Sequence, residues 1–346
     1  MNYFTCEEIS SALNAGSKAR NDIAKIMSNM PEWQPIELHR CWDIGSPIDK
    51  IRSIGINRRD WTSVVQTTKN DDVLLIQYPL AMYPRVARQA ASKIRAMKKH
   101  GIKIALFIHD LDSMRGVSTN NDELFLGLAD VVIAHNGNMK ALLRERTAAP
   151  IVELGIFDYL PTCSGALPDS LAGIDVAGNL SREKAGYLYE AAQKLPDIPF
   201  NLYGPNYSGQ NQNGWYRGSF SPDCLENRMT GEFGLVWDGD SLATCSGSYG
   251  RYLAINSPHK LSLYLALGKP VFIWEKAAEA DFVKKNGVGY TIGSIFEMVE
   301  IYSELSDGEK EAVSANARAI SEKLRSGFYT KTAVNEMTQL LEGKAR

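Results

Sequence analysis

A chain of 346 residues has room for two ordinary domains, each able to bury its own core. Apolar residues make up 44% and charged residues 23%, a globular balance that excludes a disordered chain. The net charge of −2 gives no reason to expect a nucleic-acid partner.

The opening MNYFTCEEISSALN lacks the basic start and apolar run of a signal peptide. No stretch approaches 18 uninterrupted apolar residues, so no membrane-spanning helix is expected. The five cysteines (Cys6, Cys41, Cys163, Cys224 and Cys245) are scattered without a CxxC, which fits a reducing compartment; the chain is expected to be cytoplasmic. Next comes Asn14-Ala-Gly16-Ser17-Lys18-Ala-Arg20, before a helix through Ile23, Ile26 and Met27. It is a candidate to wrap a phosphate or an acceptor from the first domain, though too poor in glycine for a Walker loop, and no GxGxxG joins a strand to a helix.

Residues 73–77 (VLLIQ), 104–108 (IALFI) and 131–134 (VVIA) are continuous apolar runs, as expected of strands covered on both faces. A helix is predicted over 85–100 and another after Asn136, with a last strand near 151–154. Arg85, Arg88, Lys93, Arg95, Lys98 and Lys99 crowd the first of these helices without an acid; a solvated face is the first reading, a peripheral membrane contact the second. Residues 159–168, rich in Pro, Gly and Ser, read as a linker.

A second series follows: strands at 174–178, 200–203 and 233–237, a helix at 259–267 stopped by Gly268, a strand at 270–274 and a short one after Gly289. Helices are predicted at 182–195, 295–305, 307–324 and 329–341. Two successive βα series imply an α/β protein with two parallel-sheet domains facing each other, and a ligand at the carboxyl ends of the strands.

In AGNLSR, residues 177–182, a strand ends at Gly178 and a helix starts, which exposes amides and sets Arg182 within reach of a phosphate. The bland alternative is a tight turn with Ser181 as N-cap. Asn256-Ser-Pro-His259-Lys260 opens a helix in which Ser257 is a candidate cap and Lys260 opposes the helix dipole. A bound anion between the dipole and Lys260 resolves that conflict, and the two turns together make a diphosphate clamp. Tyr203 reads as a base-stacking ring or a core tyrosine, and Glu275 as a hydroxyl acceptor or a solvated strand end. The apolar strand ending in His109-Asp110 offers a general base. Asp110-Leu-Asp112 and Asp238-Gly-Asp240 have DxD spacing, but the clamp cations already neutralise a diphosphate, so no metal and no cofactor is expected.

Taken together, IALFIHD, AGNLSR, FGLVW, HKLSLYLALGKPV, NGVGY and SGFYTKTAV resemble the bacterial glucosyltransferases that extend O-linked N-acetylglucosamine on serine-rich adhesins, and the related β-1,6-galactofuranosyltransferases of polysaccharide synthesis. The first 70 residues match poorly. The resemblance implies a GT-B fold, with Rossmann-like domains at residues 1–158 and 159–326 and a helix at 327–346 returning to the first domain. It implies a UDP-sugar donor held by Asn179, Arg182, Tyr203 and Lys260, with Gly16 and Ser17 facing it across the cleft. Relatives of this type tend to be homo-oligomers. Where they often have Gly-Asn-Pro this chain has Leu180, a less rigid turn, and the Trp274-Glu275 pair leaves sugar specificity open.

The reading is therefore an inverting, metal-independent hexosyltransferase that uses a UDP-sugar, with glucose or galactofuranose as the sugar and a glycan, glycoprotein or lipid-linked saccharide as acceptor. A sugar-nucleotide epimerase of the same fold would act on donor alone. A non-catalytic glycan-binding or chaperone subunit would turn over no donor at all.

Overall fold

The computed structural model describes residues 1–7, 15–39, 46–80, 84–115, 121–162, 171–211 and 213–343. By contact the chain divides into two compact units: Met1–Ser11, Ala19–Leu154 and Thr330–Arg346 form unit 1, and Ala12–Lys18 with Gly155–Tyr329 form unit 2.

Unit 1 runs β1 (Asn2–Glu7), α1 (Ala15–Ser28), β2 (Trp33–Leu38), α2 (Pro47–Thr67), β3 (Val73–Tyr78), α3 (Pro84–Lys99), β4 (Lys103–Ile108), α4 (Asn121–Leu126), β5 (Val131–Ala134), α5 (Gly137–Arg144) and β6 (Ile151–Glu153). Its six strands are ordered β2-β1-β3-β4-β5-β6, and every pair is parallel. β3, β4 and β5 are buried along nearly their whole length because helices cover both faces, which is why their sequences are unbroken apolar runs.

Unit 2 runs β7 (Ile174–Ala177), α6 (Arg182–Lys194), β8 (Phe200–Tyr203), β9 (Tyr216–Gly218), α7 (Pro222–Leu225), β10 (Phe233–Val236), α8 (Gly247–Leu253), α9 (His259–Ala266), β11 (Val271–Trp274), α10 (Ala280–Asn286), β12 (Gly289–Ile292), α11 (Ile295–Glu304) and α12 (Asp307–Ser326). Its sheet, also parallel throughout, is ordered β12-β11-β10-β7-β8-β9. The last helix, α13 (Phe328–Leu341), begins in unit 2 and continues in unit 1 from Thr330.

Strand order reverses between β1 and β3 in unit 1 and between β7 and β10 in unit 2. Chain connections diverge at such a point and leave a crevice at the carboxyl ends of the strands. In unit 1 that place holds Arg20, which donates to Glu7 at 3.1 Å, to the Gln77 carbonyl at 3.2 Å and to the Pro79 carbonyl.

Several expectations need correction. The helix expected to follow the Gly16-Ser17-Lys18 segment begins at Ala15, so these residues stand in its first turn; Asn14 lies outside the described residues. Strands β1, β2 and β9 and the 21-residue α2 were not predicted. Of the expected linker, residues 163–168 lie outside the described residues, and Tyr159 is a buried core residue of unit 2. Among the described residues no helix is long and apolar enough to cross a membrane.

One ionic contact sits at the centre of unit 2. Lys269 and Asp175 are both fully buried, 2.6 Å apart. Lys269 also donates to the carbonyls of Met229 and Gly231, and Asp175 accepts from the Gly231 amide. Burial disfavours charge on both groups, pushing the lysine down and the carboxyl up against their mutual attraction. Lys269→Met strands the carboxylate, so urea unfolding should show a loss of about 3–5 kcal/mol. Replacing both partners by apolar residues should recover most of that loss.

Candidate active site

The carboxyl ends of β7 and β10 carry the chemistry of unit 2. β7 ends at Ala177 and is followed by Gly178, whose φ is +128° and beside which an added Cβ would meet nothing within 4 Å. The backbone is thus open to close approach there. The end of β8 packs against it: a Cβ on Gly204 would lie 1.7 Å from the Gly178 carbonyl oxygen, so only glycine fits. Asn179 accepts from the Ser181 amide at 3.1 Å and from Asn206 Nδ2 at 3.0 Å, which shapes the turn into α6.

At the end of β10, Asp238 is buried and receives two lysines. Lys260 Nζ, from the first turn of α9, lies 2.8 Å from Asp238 Oδ1 and 2.8 Å from the Trp237 carbonyl. Lys184 Nζ, from the first turn of α6, lies 3.8 Å from Asp238 Oδ2. The anion that reconciles Lys260 with its helix dipole is therefore a carboxylate of the protein itself. Two lysines against one carboxylate still leave one positive charge.

Neither helix is capped by a side chain. Ser181 precedes α6 and Pro258, rather than Ser257, takes the N-cap position of α9, and neither makes a side-chain capping bond. α7, α8 and α10 are likewise open, whereas α2, α5, α11 and α12 are capped by Ser46, Asn136, Ser294 and Ser306. An uncapped first turn offers amide donors and the positive end of the dipole to an incoming anion.

The other predicted residues are distributed as follows. Arg182 is exposed, its guanidinium 4.1 Å above the Tyr189 ring, so α6 sends Lys184 rather than Arg182 to Asp238, the partner of Lys260. Tyr203 is a core residue, 2% exposed, whose hydroxyl donates to the Arg228 carbonyl at 2.8 Å; the base-stacking alternative does not fit that burial. Glu275 is exposed just past β11, its amide bonded to the Ile292 carbonyl at 2.8 Å. Asp240 accepts from Ser246 Oγ, so the carboxylates of Asp238-Gly-Asp240 have separate partners. Gly16 and Ser17 belong by contact to unit 2, and Ser17 is buried. Next to them Lys18 donates to the Leu160 carbonyl at 2.5 Å and lies 4.4 Å above the Tyr159 ring.

In unit 1 the carboxyl ends of β3, β4 and β5 hold His109, Asp110 and His135. His109 is buried, stacked on Phe107, with Nε2 2.8 Å from Gln77 Oε1. Gln77 is itself oriented, because its Nε2 donates to the Thr5 carbonyl at 3.0 Å. Its Oε1 must then accept from His109, which places the ring proton on Nε2 and the lone pair on Nδ1. Asp110 is half-buried near His135. The turn beyond Asp110 is held by buried Asp122, which accepts from the Ser113 amide at 2.9 Å, Ser113 Oγ at 2.6 Å and the Tyr78 hydroxyl at 2.6 Å.

Lys184, Asp238, Gln77 and Asp122 were missed as members of these clusters. Lys184 carried the same signal as Lys260, a cation in a helix's first turn. Gln77 carried the same signal as His109, a polar residue closing an apolar strand. Asp122 lies in a polar run and carried none.

Two histidines are kept neutral by burial. His135 donates Nε2–H to the Ile108 carbonyl and is lowered to about 4, the nearby Asp110 charge opposing the shift. His259 lies against Tyr159 and Phe157, its Nε2 without a hydrogen bond, and is lowered to about 3 by burial and then by the Lys18 charge. Both take up a proton on unfolding below about pH 6.5. Each therefore contributes stability that is present above that pH and is lost as the pH falls toward the lowered value, at up to about 1.4 kcal/mol per pH unit. Urea titrations from neutral pH into this acid range should show a shallower decline for His259→Gln than for the parent; an identical decline would mean the ring titrates normally.

The fold recurs in solved structures. Sucrose-phosphate synthase from Thermosynechococcus elongatus superposes with a TM-score of 0.60 over 99% of both chains, at 11% identity, which shows a shared fold. Beta-1,6-galactofuranosyltransferase WbbI of Escherichia coli strain K12 is 36% identical over 341 residues, covering 97% of this chain and 98% of that protein. Glucosyltransferase 3 of Streptococcus parasanguinis is 27% identical over 291 residues, covering 79% of this chain and 80% of its own. Fold and relatives together define the class: the protein is a GT-B glycosyltransferase, a transferase of hexosyl units. Residues 1–156 match the family description "Glucosyltransferase 3-like, N-terminal domain" and residues 174–337 match "Glucosyltransferase 3-like, C-terminal domain". The chain belongs to the glucosyltransferase 3-like family, as its motifs had implied.

Proposed function

We propose that this transferase moves a hexosyl unit from a UDP-sugar to a hydroxyl of a saccharide acceptor, with inversion at the anomeric carbon and without a metal ion. The observation that carries the reading is the reversal point of the unit 2 sheet, where two uncapped helices each send a lysine to one carboxylate. A diphosphate brings more negative charge than Asp238, and the first-turn amides give it donors that the carboxylate does not use. As the glycosidic bond to the diphosphate breaks, charge grows on the leaving oxygen, and Lys184 and Lys260 stabilise it as preorganised cations. Exposed Arg182 adds a third cation nearby in sequence, and Asn179 holds the turn that presents them.

Asp110 or His109 accepts the proton of the acceptor hydroxyl. In this reading the basic atom of His109 is Nδ1, since Gln77 occupies Nε2. The relative at 36% identity favours galactofuranose as the transferred sugar over glucose, the sugar named for the relative at 27%. The compartment is the cytoplasm, a reading supported by the free thiols of Cys6, Cys224 and Cys245.

Lys184→Ala and Lys260→Ala should each weaken UDP binding by about 1.5–3 kcal/mol in calorimetry. Because Lys260→Ala also leaves Asp238 with the longer Lys184 contact alone, Lys260→Ala with Asp238→Asn should bind UDP as weakly as the single variant. Full affinity in every one of these variants would remove the diphosphate from this place. Asp110→Asn should leave UDP affinity intact and lower turnover by about 10²–10⁴; if turnover survives, His109 is the base. Because Lys184 and Lys260 supply the positive charge in this reading, activity should persist in excess chelator. Abolition by chelator would return the role of diphosphate partner to a cation.

A further inference from the structure

The outer face of α2 is built the wrong way round for a helix that meets only water. Its inner face buries Ser53, Asn57, Asp60, Trp61 and Val64. On the opposite face Ile48 and Ile51 are 76% and 72% exposed, and Ile54 on its flank is 42% exposed. These three are spaced by a single turn each and are interleaved with exposed Lys50, Arg52, Arg58 and Arg59. A solvated helix face gains nothing from three exposed isoleucines in register, and single scattered ones would need no explanation.

α3 extends the same surface. The chain steps in one direction across the sheet from β2 to β3 to β4, so right-handed crossovers put α2 and α3 on one side of it. They pack together, with Asn57 Nδ2 3.4 Å from the Val86 carbonyl and 3.4 Å from Gln89 Oε1. Arg88, Arg95 and Lys99 of α3 are exposed, whereas Lys98 turns away to Asp130 at 2.7 Å. The only carboxylates on the two helices are engaged: Asp49 closes the capping box with Ser46, and Asp60 is buried against His39. Ten cations and two carboxylates give α2 and α3 a charge of +8 within a chain of −2, which leaves −10 for everything else.

We propose that this face rests on an anionic lipid bilayer. Isoleucine side chains between arginines match a surface that is charged in its headgroups and apolar just beneath them, while the acidic remainder of the chain is repelled and so orients the protein. A second copy of this chain docking face to face would set Lys50, Arg52, Arg58, Arg59, Arg88, Arg95 and Lys99 of one copy against the same cations of the other. A nucleic acid would use the cations and leave the isoleucines in water. The inference stands on unit 1 alone and is independent of the donor and base assigned above.

The experiment is flotation of the full-length protein with vesicles of phosphatidylglycerol and phosphatidylcholine in equal parts, beside vesicles of phosphatidylcholine alone. The protein should float with the anionic vesicles only, and added salt should weaken the association. Ile48→Ser with Ile51→Ser, and separately Arg52→Gln with Arg58→Gln, should each lower the vesicle-bound to free ratio, the arginine pair by about fivefold for each charge removed. All four positions are exposed, so thermal melting and UDP binding of the variants should match the parent, which separates this failure from failure of the transferase reading. No flotation with anionic vesicles at low salt overturns the proposal. So does flotation that is indifferent to both variants. A change of oligomer size in the isoleucine variant with flotation unaltered would show that a second copy covers the face, and also overturns it.

Discussion

The Lys269–Asp175 pair holds the middle of unit 2 in register. Asp175 is on β7, and its partner stands at the foot of β11 while bonding to the loop that leads into β10. One contact with no access to water thus spans the two directions in which the chain leaves the sheet centre. β7 and β10 meet through only two register pairs, Phe233 with Ile174 and Gly234 with Asp175. The short ladder alone fixes little, and the ion pair beside it determines where the two strand ends emerge. Gly178 and Asp238 are set by that emergence, and the lysines that meet at Asp238 depend on it in turn.

The site above this pair runs on the opposite electrostatic logic. A charge with no water around it must be matched almost completely, and Lys269 is, by one carboxylate and two carbonyls. Lys184 and Lys260 share one carboxylate between them and stand beside helix ends that no side chain closes. That surplus is tolerable because both lysines retain some contact with solvent. A group that leaves with two phosphates is the kind of partner that completes it.

What was legible in the sequence follows burial. Strands β3, β4, β5, β10 and β11 are covered on both faces and read as apolar runs, so they and the α/β class were evident. β2 lies at the sheet edge with half of its residues exposed and includes a proline, and β1 spends Thr5 on orienting Gln77, so neither reads as a run. α2 was hidden because isoleucines on its solvent face blur the contrast on which helical periodicity depends. The anomaly at Lys260 was visible, but its partner is 22 residues away in sequence and had been singled out for metal spacing instead. Tyr203 shows the limit of position alone: a strand end can aim its last side chain inward, and this one does.

The break in α6 ties the site to more distant backbone. Ala185 leaves the helical region at φ −129° and ψ 35°, the Gly239 amide donates to the Lys184 carbonyl at 2.7 Å, and the Tyr187 amide donates to the Gly239 carbonyl. Arg182–Lys184 is thereby a tab stitched to residues 238–240, with a flexure at Ala185 separating it from the rest of α6. Traction on Lys184 is delivered to that loop, and from Asp240 through Ser246 to the head of α8, without passing along the axis of α6.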